Sequence, residues 1–143
     1  MSLYPPFIGA GIRVRRIGGG FRTEMPLRFY NRNYFGTHFG GSLYAMCDPF
    51  FTLELTERLG GGYYVWDKAA SIQFLQPGRG RVTAEFTITD TRVEEILRQA
   101  AAGEKVEPTF HAEVLNPDGE VAARVEKLLY VKKKPPRDRG TGR

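Results

Sequence analysis

The densest collection of reactive side chains lies between Asn33 and Asp48, NYFGTHFGGSLYAMCD. One largely apolar stretch carries an amide, the pair Gly40-Gly41 and a carboxylate. A glycine pair opening a helix leaves backbone N–H groups uncovered, where they can stabilise an oxyanion. Asp48, farther along, can supply a base. The segment points to chemistry at a carbonyl whose oxygen gains negative charge.

Each of these residues also has a plainer reading. Pro49 follows Asp48, and proline cannot donate the helical hydrogen bond, so Asp48 could cap a second helical segment after a kink. The two readings are compatible, because a kink would aim the carboxylate outward. On a helix, its neighbours Tyr44, Phe51 and Leu55 are bulky and mostly apolar, and the desolvation they impose suits a base. Gly40 and Gly41 could serve close helix packing, and Asn33 could hold a turn after Tyr30-Asn31-Arg32. Cys47 reads as a free buried thiol, since no histidine is placed to activate it. His111 alternates with Phe110 and Ala112 and reads as a surface residue.

The elements that must position these groups follow from periodicity. Residues 21–29 and 82–89 alternate apolar and polar side chains, the pattern of strands with one wet face. Residues 63–75, 109–115 and 120–131 are further strands, and 11–17 a weaker one. The joins QPGRG and NPDGE predict antiparallel hairpins. Helical spacing runs from about Thr37 to Leu59 and stops at Gly60-Gly61-Gly62. A second helix is expected from Arg92 to about Ala102, with Thr91 and Glu94 as a capping box, Val93, Ile96, Leu97 and Ala100 as its buried stripe, and Gly103 as its end. A long apolar helix beside one antiparallel sheet is an α+β layout in which the sheet curls around the helix.

Composition narrows the partners. With 143 residues, 41% hydrophobic and 13% aromatic, the chain can fill one core, and a second domain is not expected. The net charge of +5 comes entirely from KKKPPRDRGTGR, residues 132–143, so residues 1–131 are neutral. The domain is therefore placed at 1–131 and a disordered basic tail at 132–143, with no nucleic acid as partner. One cysteine excludes an internal disulfide, and with His38 and His111 alone it makes no zinc spacing, so no metal is expected. A reducing cytoplasm fits best. No apolar run approaches the roughly 20 residues that cross a bilayer, and the first residues lack the order of a signal peptide. GIRVRRIGGG lacks the spacing of a dinucleotide loop, and no cofactor is expected. Arg79 and Arg81 could meet the phosphates of a CoA carrier, or simply belong to a solvated turn.

The element order, together with N-x-x-G-x-x-x-G-G and an Asp fifteen residues after Asn33, resembles the hotdog fold and, within it, the acyl-CoA thioesterase-like branch. It is also similar to a less characterised hotdog family with a Gly-Thr-His-Phe-Gly-Gly stretch and a later Trp-Asp-Lys. The resemblance covers about residues 10–131. It implies that Asn33 holds the substrate or attacking water, that the Gly40 N–H polarises a thioester carbonyl, and that Asp48 is the general base or nucleophile. It also implies a homodimer. Gly41, His38, Tyr44, Phe51 and Asp67 are the accompanying substrate-binding candidates. His38 departs from the pattern: relatives commonly carry His directly before the glycine pair, where Phe39 stands here, so His38 is favoured as structural. Asp67 and Lys68 are adjacent on a strand and face opposite sides, so they are not expected to pair with each other; a salt bridge at an interface is the plainer reading of Asp67.

On one unbroken helix, Gly40 and Asp48 lie roughly 12 Å apart along the axis, farther than a short carboxylate reaches. Gly40 of one subunit is therefore expected to meet Asp48 of another about a two-fold axis. The leading expectation is an acyl-CoA hydrolase acting as a homodimer or dimer of dimers. A non-catalytic hotdog module that binds an acyl or other apolar ligand is the alternative, and a hydratase or dehydratase a third.

Overall fold

The computed structural model describes residues 4–137. In chain order it comprises α1 (Pro5–Ala10), β1 (Arg13–Ile17), β2 (Gly20–Met25), α2 (Gly40–Ala45), α3 (Phe50–Leu59), β3 (Tyr63–Phe74), β4 (Val82–Thr87), α4 (Asp90–Ala101), β5 (Thr109–Leu115) and β6 (Val121–Lys133). The six strands form one antiparallel sheet in the order β1-β2-β4-β5-β6-β3. The order leaves β1 and β3 as its two edges. NPDGE joins the paired strands β5 and β6, as its turn chemistry predicts. QPGRG does not make a hairpin: β3 pairs with β6, and β4 with β2 and β5, so this turn carries the chain across the sheet.

The expected long helix is two helices. α2 ends at Ala45, residues 46–49 leave the helical path through a cis Asp48–Pro49 peptide, and α3 starts at Phe50. Pro49 has no N–H for the Ala45 carbonyl, which instead accepts from the Asp48 N–H at 3.3 Å, and the Met46 carbonyl accepts from the Thr23 hydroxyl on β2 at 3.0 Å. α3 supplies the centre of the core. Phe50, Phe51 and Leu55 are buried, and a run of ring contacts links Phe7, Phe50, Phe86, Phe51 and Phe110. Fully burying a phenylalanine is worth about 1.5–3 kcal/mol, so this run accounts for much of the packing. Glu54, on the same helix, is buried but bonded to Arg16 and Arg58 at 3.1 and 3.2 Å.

Other boundaries move for local reasons. β2 stops at Met25 rather than at 29, because Pro26 cannot join the ladder, and Phe29 is exposed in the following loop. α4 is capped by Thr89, whose hydroxyl accepts from the Arg92 N–H at 3.2 Å, two residues before the expected Thr91. Its stripe is Val93, Ile96 and Ala100, with Leu97 turned outward. α1, only six residues long, is too short to show a helical period, yet it buries Phe7. β6 runs two residues past the expected domain end, with Lys132 and Lys133 opposite Tyr64 and Tyr63. The last six residues of the expected tail, 138–143, lie outside the described residues. Among the described residues no helix is long and apolar enough to cross a membrane.

Candidate functional site

The candidate residues fall into two groups. The first surrounds a cleft of about 370 Å³ lined by Asn33, Thr37, His38, Gly40, Leu43 and Phe74, with the 75–78 turn closing it. Gly40 opens α2, and neither Gly40 nor Gly41 donates its N–H to any described residue. A methyl group on Gly40 would lie 3.1 Å from the Phe74 ring, so glycine lets the helix start approach that wall. Gly41 faces the Phe39 ring rather than the cleft.

Asn33 builds the cleft wall. Its Oδ1 accepts from the Phe35 and Thr37 N–H groups at 2.9 and 3.1 Å, and its Nδ2 donates to Thr37 Oγ1 and the His38 carbonyl at 2.9 and 3.3 Å. The amide is thus spent on holding residues 33–38, the turn role weighed above. His38 is 2% exposed, and its Nε2 lies 2.6 Å from the Gly80 carbonyl, which can only accept, so Nε2 carries the proton. Burial lowers its pKa, and the Gly80 bond offsets this only partly. Its Nδ1 is buried without a partner.

The second group is centred on a residue that sequence reasoning missed. Lys127 occupies an inward position of β6 between Val125 and Leu129 and is 1% exposed. Its Nζ donates to Asp48 Oδ1 at 2.8 Å and to the Tyr44 hydroxyl at 3.2 Å, and lies 3.4 Å from Asp67 Oδ2. Burial pulls its pKa down, but the hydrogen bond and charge of Asp48, then Tyr44 and Asp67, outweigh it, and the net shift is upward. The ammonium is therefore charged at neutral pH. The only sequence signal was a lysine in an alternating strand where its neighbours at i−2 and i+2 are core residues.

Asp48 thus sits beside a cation, not in the apolar surroundings expected from an unbroken helix. It does not cap α3 either: Pro49 is the N-cap, and no side chain caps that end. The Asp48 side chain is 45% exposed, and its Oδ2 bonds to no described residue. Asp67 faces inward to Lys127, while Lys68, the extra residue of a bulge in β3, pairs with Glu107 at 2.6 Å. Asp67 and Lys68 do not pair, as their adjacency predicts. Phe51 is in the core, stacked on Phe110, and lines neither group. Cys47 is buried, its thiol pushed up to about 12 by burial, as expected of an inert residue. His111 is exposed beside Glu126. Arg81 pairs with Glu24. No cluster of His, Cys, Asp and Glu suited to a metal occurs among the described residues.

The sequence matches the family model DUF4442, a domain of unknown function, over residues 1–131. The chain belongs to this family. No curated protein sequence matches it. Among solved structures, it is similar to a protein of Pseudomonas aeruginosa of unknown function, described as a probable thioesterase. That pair has a TM-score of 0.79 and 20% identity, over 91% of this chain and 88% of that one. A thioesterase of Haemophilus influenzae matches with TM-score 0.68 and 16% identity, over 92% and 85%. The PaaI protein of the Escherichia coli phenylacetic acid degradation operon matches with 0.65 and 17%, over 94% and 87%. These likenesses, with the six-stranded antiparallel sheet, give the DUF4442 chain the hotdog fold.

Proposed function

We propose that this protein hydrolyses acyl thioesters of CoA at a site completed by a second copy of the chain. In this reading the Gly40 N–H receives the thioester carbonyl oxygen, Leu43, Phe74 and Leu75 hold the acyl chain, and Asp48 of the other copy activates water or attacks the carbonyl through its free Oδ2. Asn33 acts by shaping the wall, because its amide has no free donor for a reactant. The proteins of similar fold described as thioesterases favour the reading.

The observation that carries it is the position of both groups on one open strand. Phe74, on the cleft, and Asp67, beside Lys127 and Asp48, both belong to β3. Seven residues separate them, roughly 20 Å along an extended strand, too far for one chain to bring Asp48 to Gly40. β3 is a long edge strand with nothing on its outer side among the described residues, and such an edge needs a partner. Its middle residues Ala69, Ala70 and Ser71 are small and exposed. An antiparallel pairing of β3 with its own copy, centred between residues 70 and 71, would set Asp67 opposite the partner's Phe74. Two equivalent sites follow, each with one chain's cleft and the other's carboxylate.

A panel of acyl-CoA esters of different chain lengths, assayed for free thiol, tests the reading: the wild type releases CoA and Asp48→Asn does not. A second reading, a module that binds an apolar ligand without chemistry, is favoured by the ion pair that occupies one oxygen of Asp48. Binding of a fatty acyl ligand with no release from any ester would select it. Hydratase chemistry is disfavoured, since His38 Nε2 is held by the Gly80 carbonyl and its Nδ1 is buried, which leaves neither ring nitrogen for a substrate.

A further inference from the structure

Lys127 stands where a hotdog strand needs only an apolar side chain. Its neighbours on the inward face of β6, Val125 and Leu129, are fully buried, and burying an ammonium there costs free energy that its partners must offset. A buried ion pair can often be replaced by apolar packing without loss of stability, so stability alone is a weak reason for the charge. The arrangement around it is specific. An ammonium has three N–H groups, and three acceptors stand around this one: Asp48 Oδ1, the Tyr44 hydroxyl and Asp67 Oδ2. The Tyr44 ring also lies against it, 5.3 Å from centroid to Nζ.

Asp48 needs such an anchor. It lies in the break between α2 and α3, where no continuous helix fixes its backbone, and its side chain has no other described bond. Lys127 holds one carboxylate oxygen and leaves the second open toward solvent. We infer that Lys127, seated by Tyr44 and Asp67, is the positioning residue that orients Asp48 for attack or proton abstraction. The inference rests on the hydrolase reading for its kinetic consequence, though not for its structural one.

The test uses the full chain and the acyl-CoA ester that the wild type cleaves fastest. Lys127→Met should lower kcat about a hundredfold with KM within about twofold, the signature of a misplaced group rather than a lost binding contact. Lys127→Arg, which keeps a cation and its donors, should recover most of the loss. An unchanged kcat in Lys127→Met, or no recovery in Lys127→Arg, would overturn the proposal. Should Lys127→Met not fold, Tyr44→Phe and Asp67→Asn replace it. Each should lower kcat several-fold, and wild-type kcat in both would overturn the proposal. The carboxyl-carbon NMR signal of Asp48, identified by its disappearance in Asp48→Asn, is recorded in the same proteins. It should shift in each folded variant that alters the lysine or its two other acceptors, and a signal unmoved in all of them would overturn the proposal even for a protein that cleaves no ester. Absence of cleavage by the wild type alone counts against the hydrolase reading, not against the anchoring of Asp48.

Discussion

Asp48 and Lys127, 79 residues apart in the chain, meet at 2.8 Å on the inner face of the sheet. The contact joins the break between two helices to the middle of a strand. It places a fixed positive charge beside the carboxylate that the sequence marks as the reactive group.

That contact sets an alkaline limit on stability. The folded-state pKa of Lys127 lies above its ordinary value, because Asp48, Tyr44 and Asp67 together outweigh the effect of burial. A raised lysine pKa contributes stability that is fully present below the unfolded value of about 10.5 and is lost as pH rises through the folded one. Urea midpoints between pH 8 and 11.5 should therefore fall at the alkaline end, and more steeply than in Lys127→Met. Parallel curves for the two proteins would show that the pair adds nothing.

Cys47 should be inert while the protein is folded. Its thiol is pushed up to about 12 by burial, so almost no thiolate exists at pH 8. A chromogenic disulfide reagent should label it only after denaturant is added. Labelling of the native protein at the rate of a free thiol would contradict this.

His38 sets an acid limit. Its pKa is lowered by burial, so the neutral ring is favoured in the folded state, with stability present above the unfolded value of about 6.5 and lost as pH falls toward the folded one. The thermal midpoint should drop between pH 6.5 and 5 in the wild type and less in His38→Gln, which can still donate toward the Gly80 carbonyl. Scanning calorimetry at several pH values reads the difference.

Gly20 tests the sheet rather than the site. A methyl group there would fall 1.7 Å from the Phe86 carbonyl oxygen, where β2 and β4 run together, and backbone cannot move aside as a side-chain tip can. Gly20→Ala should destabilise by about 3 kcal/mol or prevent folding, as overpacking does at its upper end. Gly61→Ala, which meets nothing within 4 Å, is the control and should change the urea midpoint little.

The sequence carried much of the fold, because alternation and turn chemistry are local. The strand at Val82, the hairpin at NPDGE and the helix around Val93 and Ile96 all follow from spacing. What it could not give was pairing between distant segments. QPGRG has the composition of a hairpin turn, yet its flanking strands find different partners, a choice made by the whole sheet. Pro49 signalled a kink, but whether Asp48 capped the next helix or faced elsewhere depended on Lys127, whose inward position emerges only when β6 is aligned with β5 and β3. Asn33, Gly40 and His38 were legible as a group through one short segment, and they do share a cleft. Phe51 was not, since an aromatic residue one turn from Asp48 serves the core equally well.

If each reaction centre takes its cleft from one chain and its carboxylate from another, mixing two differently damaged subunits restores activity. Gly40→Val, which crowds the Phe74 wall, and Asp48→Asn should each be inactive alone. Unfolded together and refolded at equal concentration, they form mixed pairs holding one intact centre, and about a quarter of the wild-type thioesterase rate should return. A mixture that assembles into pairs yet remains as inactive as its components would contradict the account, because it would mean that both defects strike groups belonging to the same chain.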